Sequence, residues 1–262
     1  MPFPAIDPVA FSIFGWAVHW YGLAYVAAFL LGAKYIEYSF SKYGKGVNLN
    51  KDDADRIFTW VILGVILGGR VGYVFFYNPE YYMDHIGEAF KLWQGGMSFH
   101  GGLLGVLVAC ALYCKKYSIN LLDLGDRLIP AFCIGLFLGR IANFINGELY
   151  GRVTDASYGI IFPHGGDLPR HASQLYEAAL EGLLLFIILH FTLKARRKRG
   201  EVTGLFLIGY GTFRSMVEFV RERDVQLSDG IFETISMGQI LSIPMILIGI
   251  TLIIKSKKEV KG

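Results

Sequence analysis

Apolar residues fall in blocks along this chain, separated by short polar and charged interruptions. A helix needs about 20 mostly apolar residues to cross a hydrocarbon core. That yardstick predicts seven helical spans, roughly 11–33, 57–77, 98–114, 119–141, 174–193, 203–220 and 238–254. The third and the last are short and extend into their flanks. No long linker, low-complexity stretch, clear internal repeat or separate soluble segment stands out. The expected architecture is a single polytopic membrane domain over 1–262: an all-α bundle of about seven transmembrane helices, with a small outer segment between helices four and five.

Composition supports that class. Charged residues make up 18% of the 262 positions and hydrophobic ones 53%, against about 25% charged in a soluble domain. The N-terminus has no basic residues ahead of its first apolar stretch and no evident cleavage site, so no removable leader is expected. Cys110, Cys114 and Cys133 lie in apolar runs without framework spacing, and read as small packing residues.

The net charge of +3 matters less than its distribution. With the N-terminus outside, fifteen Lys and Arg fall in the inner loops and tail, among them Lys45, Arg196, Arg197, Lys257, Lys258 and Lys261; five, including Arg223, fall outside. The positive-inside rule then gives an outer N-terminus and a cytoplasmic C-terminus. The run KARRKRG beside a span is read as a topology anchor, and no nucleic-acid partner is expected. Glycines recur every fourth position at Gly64, Gly68 and Gly72, at Gly101 and Gly105, and at Gly135 and Gly139. Such spacing lets helix backbones approach closely in lipid.

This orientation puts several costly polar groups at one depth, in the outer half of the membrane. Arg140 ends the fourth span, and Asn143 follows on the same helical face. Asn146, Gly147, Glu148 and Gly151 lead into the outer segment. Arg214, Glu218 and Arg221 form one stripe at i, i+4 and i+7. His100 stands at the outer start of the third span, Tyr21 lies in the first, and Arg70 follows Gly68 and Gly69 in the second. Taken singly, Tyr21 reads as an interfacial ring, His100 as a helix-start residue, and Arg214–Glu218 as an ion pair. Arg140 is harder to dismiss, because an intramembrane arginine faces a pathway or a partner.

An arginine fork matches a phosphate, so this set points to a phospholipid headgroup in the outer leaflet. A nearby histidine takes a proton at neutral pH. Glu148 or Glu218 serves as an orienting carboxylate or as an alternative base. Neither H-E-x-x-H nor G-x-S-x-G occurs, which disfavours metalloprotease and serine-hydrolase chemistry.

The stretches GRIANFINGELYGR, WQGGMSFHGGLLG, VHWYGLAY, PRHASQLYEAALEG, GYGTFRSMVEFVR and ISMGQILSIPM run from the first span to the last. Together they resemble the bacterial prolipoprotein diacylglyceryl transferase family. The resemblance implies transfer of the diacylglyceryl group of phosphatidylglycerol to the lipobox cysteine thiol of a prolipoprotein. A thioether forms and glycerol phosphate leaves. It implies a multi-pass enzyme of the bacterial plasma (inner) membrane, with its active site on the outer-leaflet side, and no metal or other cofactor. Functional positions carried over are Tyr21, His100, Arg140, Asn143, Asn146, Glu148, Gly151, Arg214, Glu218 and Arg221, with His171 a further one from the PRHASQ motif. In this assignment His100, Arg140, Arg214 and Glu218 are catalytic. Tyr21, Arg70, Asn143, Asn146, Glu148, Gly151, His171 and Arg221 bind substrate. His100 is the first choice for the thiol proton, and arginine-assisted thiolate formation is the other route. The rival reading is a transporter or flippase for anionic lipid, which the lack of a paired repeat disfavours.

Overall fold

The computed structural model describes residues 1–4, 6–43, 49–195, 198–222 and 236–258. Of the basic residues used for orientation, Lys45, Arg196, Arg197, Arg223 and Lys261 lie outside the described residues, as do the side chains of Lys257 and Lys258. The chain is mostly helical and divides into two units: Met1–Tyr35 with Gly125–Gly262, and Ile36–Leu124. Among the described residues, four helices are long and apolar enough to cross a membrane: Lys51–Phe76, Leu121–Ile145, Ser173–Ala195 and Met237–Ser256.

The first unit opens on a β-hairpin rather than a helix. β1 (Val9–Ile13) pairs antiparallel with β2 (Trp16–His19). The expected span over 11–33 is therefore corrected, because helix α1 (Trp20–Tyr43) begins only after the hairpin. The turn residues Phe14 and Gly15 both have positive φ, 48° and 83°. Two such residues in succession close a two-residue hairpin whose twist matches its strands. Hydropathy summed over the segment does not distinguish this apolar hairpin from a helix.

In the second unit, α2 (Lys51–Phe76) starts in a reciprocal cap. The Asn50 side chain accepts from the amides of Asp52 and Asp53, and Asp53 Oδ2 accepts from the Asn50 amide at 3.0 Å. Asp53 also accepts from the Tyr113 hydroxyl at 3.1 Å, which ties α2 to α4 (Phe99–Tyr117). Higher up, the two helices meet glycine to glycine. A Cβ at Gly64 would stand 2.7 Å from the Gly105 carbonyl oxygen, and one at Gly72 would stand 2.7 Å from the Gly101 Cα. The spacing of these glycines is thus a packing device. Gly135 and Gly139 differ: a Cβ there meets nothing within 4 Å among the described residues.

Between α2 and α4 lie α3 (Pro79–Asp84) and two short 3₁₀ turns, Ile86–Phe90 and Leu92–Gln94. Arg70 pins this connection from the buried side of α2. Its guanidinium donates to the carbonyls of Glu88, Ala89, Gly95 and Gly96. The Tyr81 hydroxyl donates to Glu88 at 2.6 Å, and Lys91 donates to the same carboxylate at 3.0 Å. These bonds, Tyr81 first, hold the Glu88 carboxyl below the ordinary value of 4.5.

The first unit resumes along α5 (Leu121–Ile145), followed by an irregular segment over 146–172. A continuous helical run comes next: α6 (Ser173–Glu177), a π-helical stretch Ala178–Leu184, and α7 (Leu185–Ala195). Gly182 in the π stretch lies against the Phe137 backbone, where a Cβ would stand 2.7 Å from the Phe137 Cα. Tyr35 of α1 bonds His190 of α7 at 2.9 Å, which gives that histidine a structural partner. The fully buried Asp126 carboxylate caps α8 (Glu201–Val217) by accepting from the Gly200 and Thr203 amides, each at 2.8 Å. α8 packs on α9 (Met237–Lys258) at Gly204 and Gly249.

Gly105→Val is expected to force α2 and α4 apart at a cost of about 1–3 kcal/mol or more, read as a lower melting temperature in detergent; an unchanged melt would remove the glycine contact as a determinant. Glu88 titrates below its unfolded value, so its contribution is complete above that value and fades as pH falls through the lower folded one. Tyr81→Phe should move the Glu88 midpoint up towards 4.5 in a carbon-13 NMR titration, and a static midpoint would refute the assigned cause.

Candidate functional site

Three helices of the first unit, with the turn that follows one of them, bring cations and carboxylates together. Arg140 is near the end of α5, Arg214 is in the last turn of α8, and Arg221 lies just beyond α8. Glu177, at the end of α6, stands among them with no exposed surface. Its Oε2 lies 2.8 Å from Arg140, 3.2 Å from Arg214 and 3.7 Å from Arg221. Arg214 also pairs with Glu218 one turn along its own helix. The three arginine side chains keep only 15–18% of their surface exposed. Charges this deep persist only when paired.

The turn after α5 adds a polar rim. Arg140 Nη1 reaches Asn143 Oδ1 at 3.5 Å, and Asn143 Nδ2 donates to Glu148 Oε1 at 2.8 Å. Asn146 Nδ2 approaches the same oxygen at 3.5 Å. Gly147 takes φ of 67°, a left-handed conformation that suits glycine, and the next turn carries Leu149 at 56°. Gly151 follows in extended backbone, its amide donating to the His171 carbonyl at 2.8 Å. A Cβ on Gly151 would collide with the Val220 carbonyl, so glycine is required for this approach. Arg152 Nε then donates to the Arg221 carbonyl at 2.9 Å, fixing the backbone that carries Arg221. An open cavity of about 300 Å³ adjoins the rim, lined by Gly147, Glu148, Leu149, Tyr150, His164, Arg221 and Glu222.

Ten of the twelve sequence-derived candidates belong to this unit. Arg140, Asn143, Asn146, Glu148, Arg214, Glu218 and Arg221 form the connected network just described. Tyr21 bonds Tyr25 at 3.1 Å and lies within electrostatic range of Glu148 and Arg140. Gly151 shapes the backbone, and His171 faces the Tyr176 hydroxyl at 3.3 Å. The other two candidates belong to the second unit. His100 is the exposed second residue of α4, its ring edge against Phe99, and Arg70 holds the four carbonyls named above.

Sequence reasoning passed over Glu177, the residue on which the arginines converge. Its signal was available: Gln174, Glu177 and Glu181 recur at i, i+3 and i+7 within an apolar span, and intramembrane carboxylates are as costly as the arginines. It also missed Gly238 of α9, where a Cβ would stand 2.6 Å from Glu218 Oε1. Removing the Glu177 charge should take the shared counter-ion from all three arginines, leaving Arg214 with Glu218. Glu177→Ala is expected to lose about 3–5 kcal/mol of stability, read by thermal unfolding in detergent; a neutral effect would mean the convergence is not holding the unit together.

Comparison with known proteins adds an independent line. Residues 8–255 match the family model described as prolipoprotein diacylglyceryl transferase. A Rickettsia felis protein named phosphatidylglycerol–prolipoprotein diacylglyceryl transferase is 49% identical, covering 99% of this chain and 100% of its own. Proteins of the same name from Legionella pneumophila (49% identical, 96% and 98% covered) and Rickettsia bellii (48%, 98% of both) are similarly alike.

Proposed function

Since the chain belongs to the prolipoprotein diacylglyceryl transferase family, we propose that it transfers the diacylglyceryl group of phosphatidylglycerol to a prolipoprotein cysteine, the first step of bacterial lipoprotein maturation. The observation that carries this reading is the approach of Arg140, Arg214 and Arg221 to a single carboxylate oxygen. Cations arranged to share one oxygen suit a phosphodiester oxygen equally well. The phosphate then lies where its charge is stabilised as it grows.

The thiol of the acceptor loses its proton, and its sulfur attacks the glyceryl CH₂ carbon of the lipid. The S–C bond forms as the C–O bond to phosphate breaks, and glycerol phosphate departs against the arginines. Asn143, Asn146 and Glu148 order the rim around the headgroup, with Tyr21, Gly151 and His171 beside them; Arg70, assigned to substrate binding from the sequence, holds the connection between α2 and α4 in the second unit. Arg214 is held in place by Glu218. His100 takes the thiol proton in this scheme. The enzyme needs no reactive cysteine of its own, in keeping with the three buried cysteines.

The chain acts as a single polytopic membrane domain of seven spans in the bacterial inner membrane. Its N-terminus is outside, its C-terminus is cytoplasmic, and its site opens to the outer leaflet, where phosphatidylglycerol and the lipobox peptide meet. The asymmetry of lysine and arginine along the sequence supports this orientation.

Purified protein given phosphatidylglycerol labelled in its diacylglyceryl part should label a lipobox peptide, and should not label the Cys-to-Ser peptide. Lipid binding without transfer would favour the transporter reading. Arg140→Ala should cut transfer by about 10²–10³-fold at normal membrane insertion, whereas wild-type rates would take Arg140 out of the site. Substantial transfer by His100→Gln would dismiss it as the base. A cysteine placed at Asp155 should react with an impermeant reagent from outside, and one at Lys194 should not; the reverse pattern would overturn the orientation.

A further inference from the structure

The arginines account for the charge of a phosphodiester but not for the rest of the polar lining. Among the described residues, five buried side-chain oxygens have no hydrogen-bond partner, and four of them sit on one helical run: Gln174 Oε1, Glu177 Oε1 and both oxygens of Glu181. All three residues are fully buried. Gln174 donates one amide N–H to the Glu148 carbonyl at 2.5 Å, and its Oε1 is the atom left without a partner. Glu177 spends Oε2 on the arginines and leaves Oε1. Glu181 lies on the π-helical stretch Ala178–Leu184, one turn along from Glu177, and is within electrostatic range of Glu177, Arg140, Arg214 and Arg221. Single π turns inside helices recur at functional sites.

Four acceptors without a donor beside an anion site specify the missing partner. It must carry hydrogen-bond donors, and it must be covalently close to a phosphate. Buried acceptors left unmade are costly, so a ligand that supplies those donors is favoured over one that does not. A glycerol headgroup has two hydroxyls within a few bonds of its phosphate. We propose that Gln174, Glu177 and Glu181 form a diol-reading subsite, which accepts hydrogen bonds from the headgroup hydroxyls of phosphatidylglycerol while the arginines hold its phosphate. This inference rests on the transferase reading and deepens it. The arginines bind any anionic phospholipid, and the acceptor row selects the glyceryl one.

The test compares phosphatidylglycerol with phosphatidylpropanol, which keeps the phosphodiester and lacks both headgroup hydroxyls, in mixed micelles with a lipobox peptide. The wild-type enzyme should use phosphatidylglycerol with a kcat/KM about 10- to 100-fold higher, the range of one or two hydrogen bonds to a charged acceptor. Glu181→Met should shrink that ratio at least fivefold, by losing rate on phosphatidylglycerol and little on phosphatidylpropanol. Loss of stability alone would lower both rates together and leave the ratio unchanged, which overturns the assignment. If Glu181→Met does not insert, Glu181→Gln has the same readout. For Glu181→Gln, a ratio between the wild-type value and equal use of the two lipids supports the subsite, and a wild-type ratio overturns it. Equal use of both lipids by the wild-type enzyme also overturns it, with the transferase reading intact. Absence of transfer from phosphatidylglycerol itself would instead defeat the transferase reading.

Discussion

Three guanidinium groups share one carboxylate oxygen, and much of the first unit is arranged to make that possible. Glu177 brings Arg140 from α5, Arg214 from α8 and Arg221 from beyond α8 to one point. None of these cations could remain at such depth unpaired. The surrounding choices follow from it. Gly151 lets two extended segments close on each other, Arg152 fixes the backbone of Arg221, and Gly238 leaves room for the Glu218 carboxylate. A residue larger than glycine at either place would press on the groups that carry the charge.

This arrangement also explains why the cluster is poised without being saturated. Glu177 uses one oxygen and leaves the other, and the arginines keep a narrow opening of about one-sixth of their side-chain surface. A site whose cations were fully matched by fixed carboxylates would have no field left for a phosphate. One whose cations were unmatched would not survive burial. Sharing a single oxygen among three forks, with Glu218 added at Arg214, pairs each cation while each fork retains donors for an incoming anion.

The sequence made the arginine half of this legible and hid the rest. Arg140 with Asn143, and Arg214 with Glu218, stood out because charge inside an apolar block is anomalous on its face. The same anomaly at Glu177 was diluted by its neighbourhood, where alanines and leucines on both sides made the run look like ordinary span. Convergence of residues some 40 positions apart is a property of tertiary packing, and no local spacing encodes it. The hairpin at 9–19 escaped for a related reason: hydropathy counts apolar residues and is indifferent to whether they alternate. The glycine contacts at Gly64, Gly68 and Gly72 were legible because close approach needs the absence of a side chain, which is written directly in the sequence. Gly135 and Gly139 have the same spacing without the approach, so spacing permits the contact and does not require it.

A division of labour within the site follows from these contrasts. Arginine forks recognise charge and are indifferent to what the charge is attached to. Buried acceptors recognise hydrogen-bond donors and are indifferent to charge elsewhere in the ligand. Neither set alone singles out one phospholipid from a bilayer full of anionic lipids. Placing both on elements that meet at Glu177, which holds the arginines with one oxygen and keeps the other unpartnered, makes the identity of the lipid depend on their conjunction. The carboxylate that neutralises the arginines is then also the hinge between binding a phosphate and reading what lies next to it.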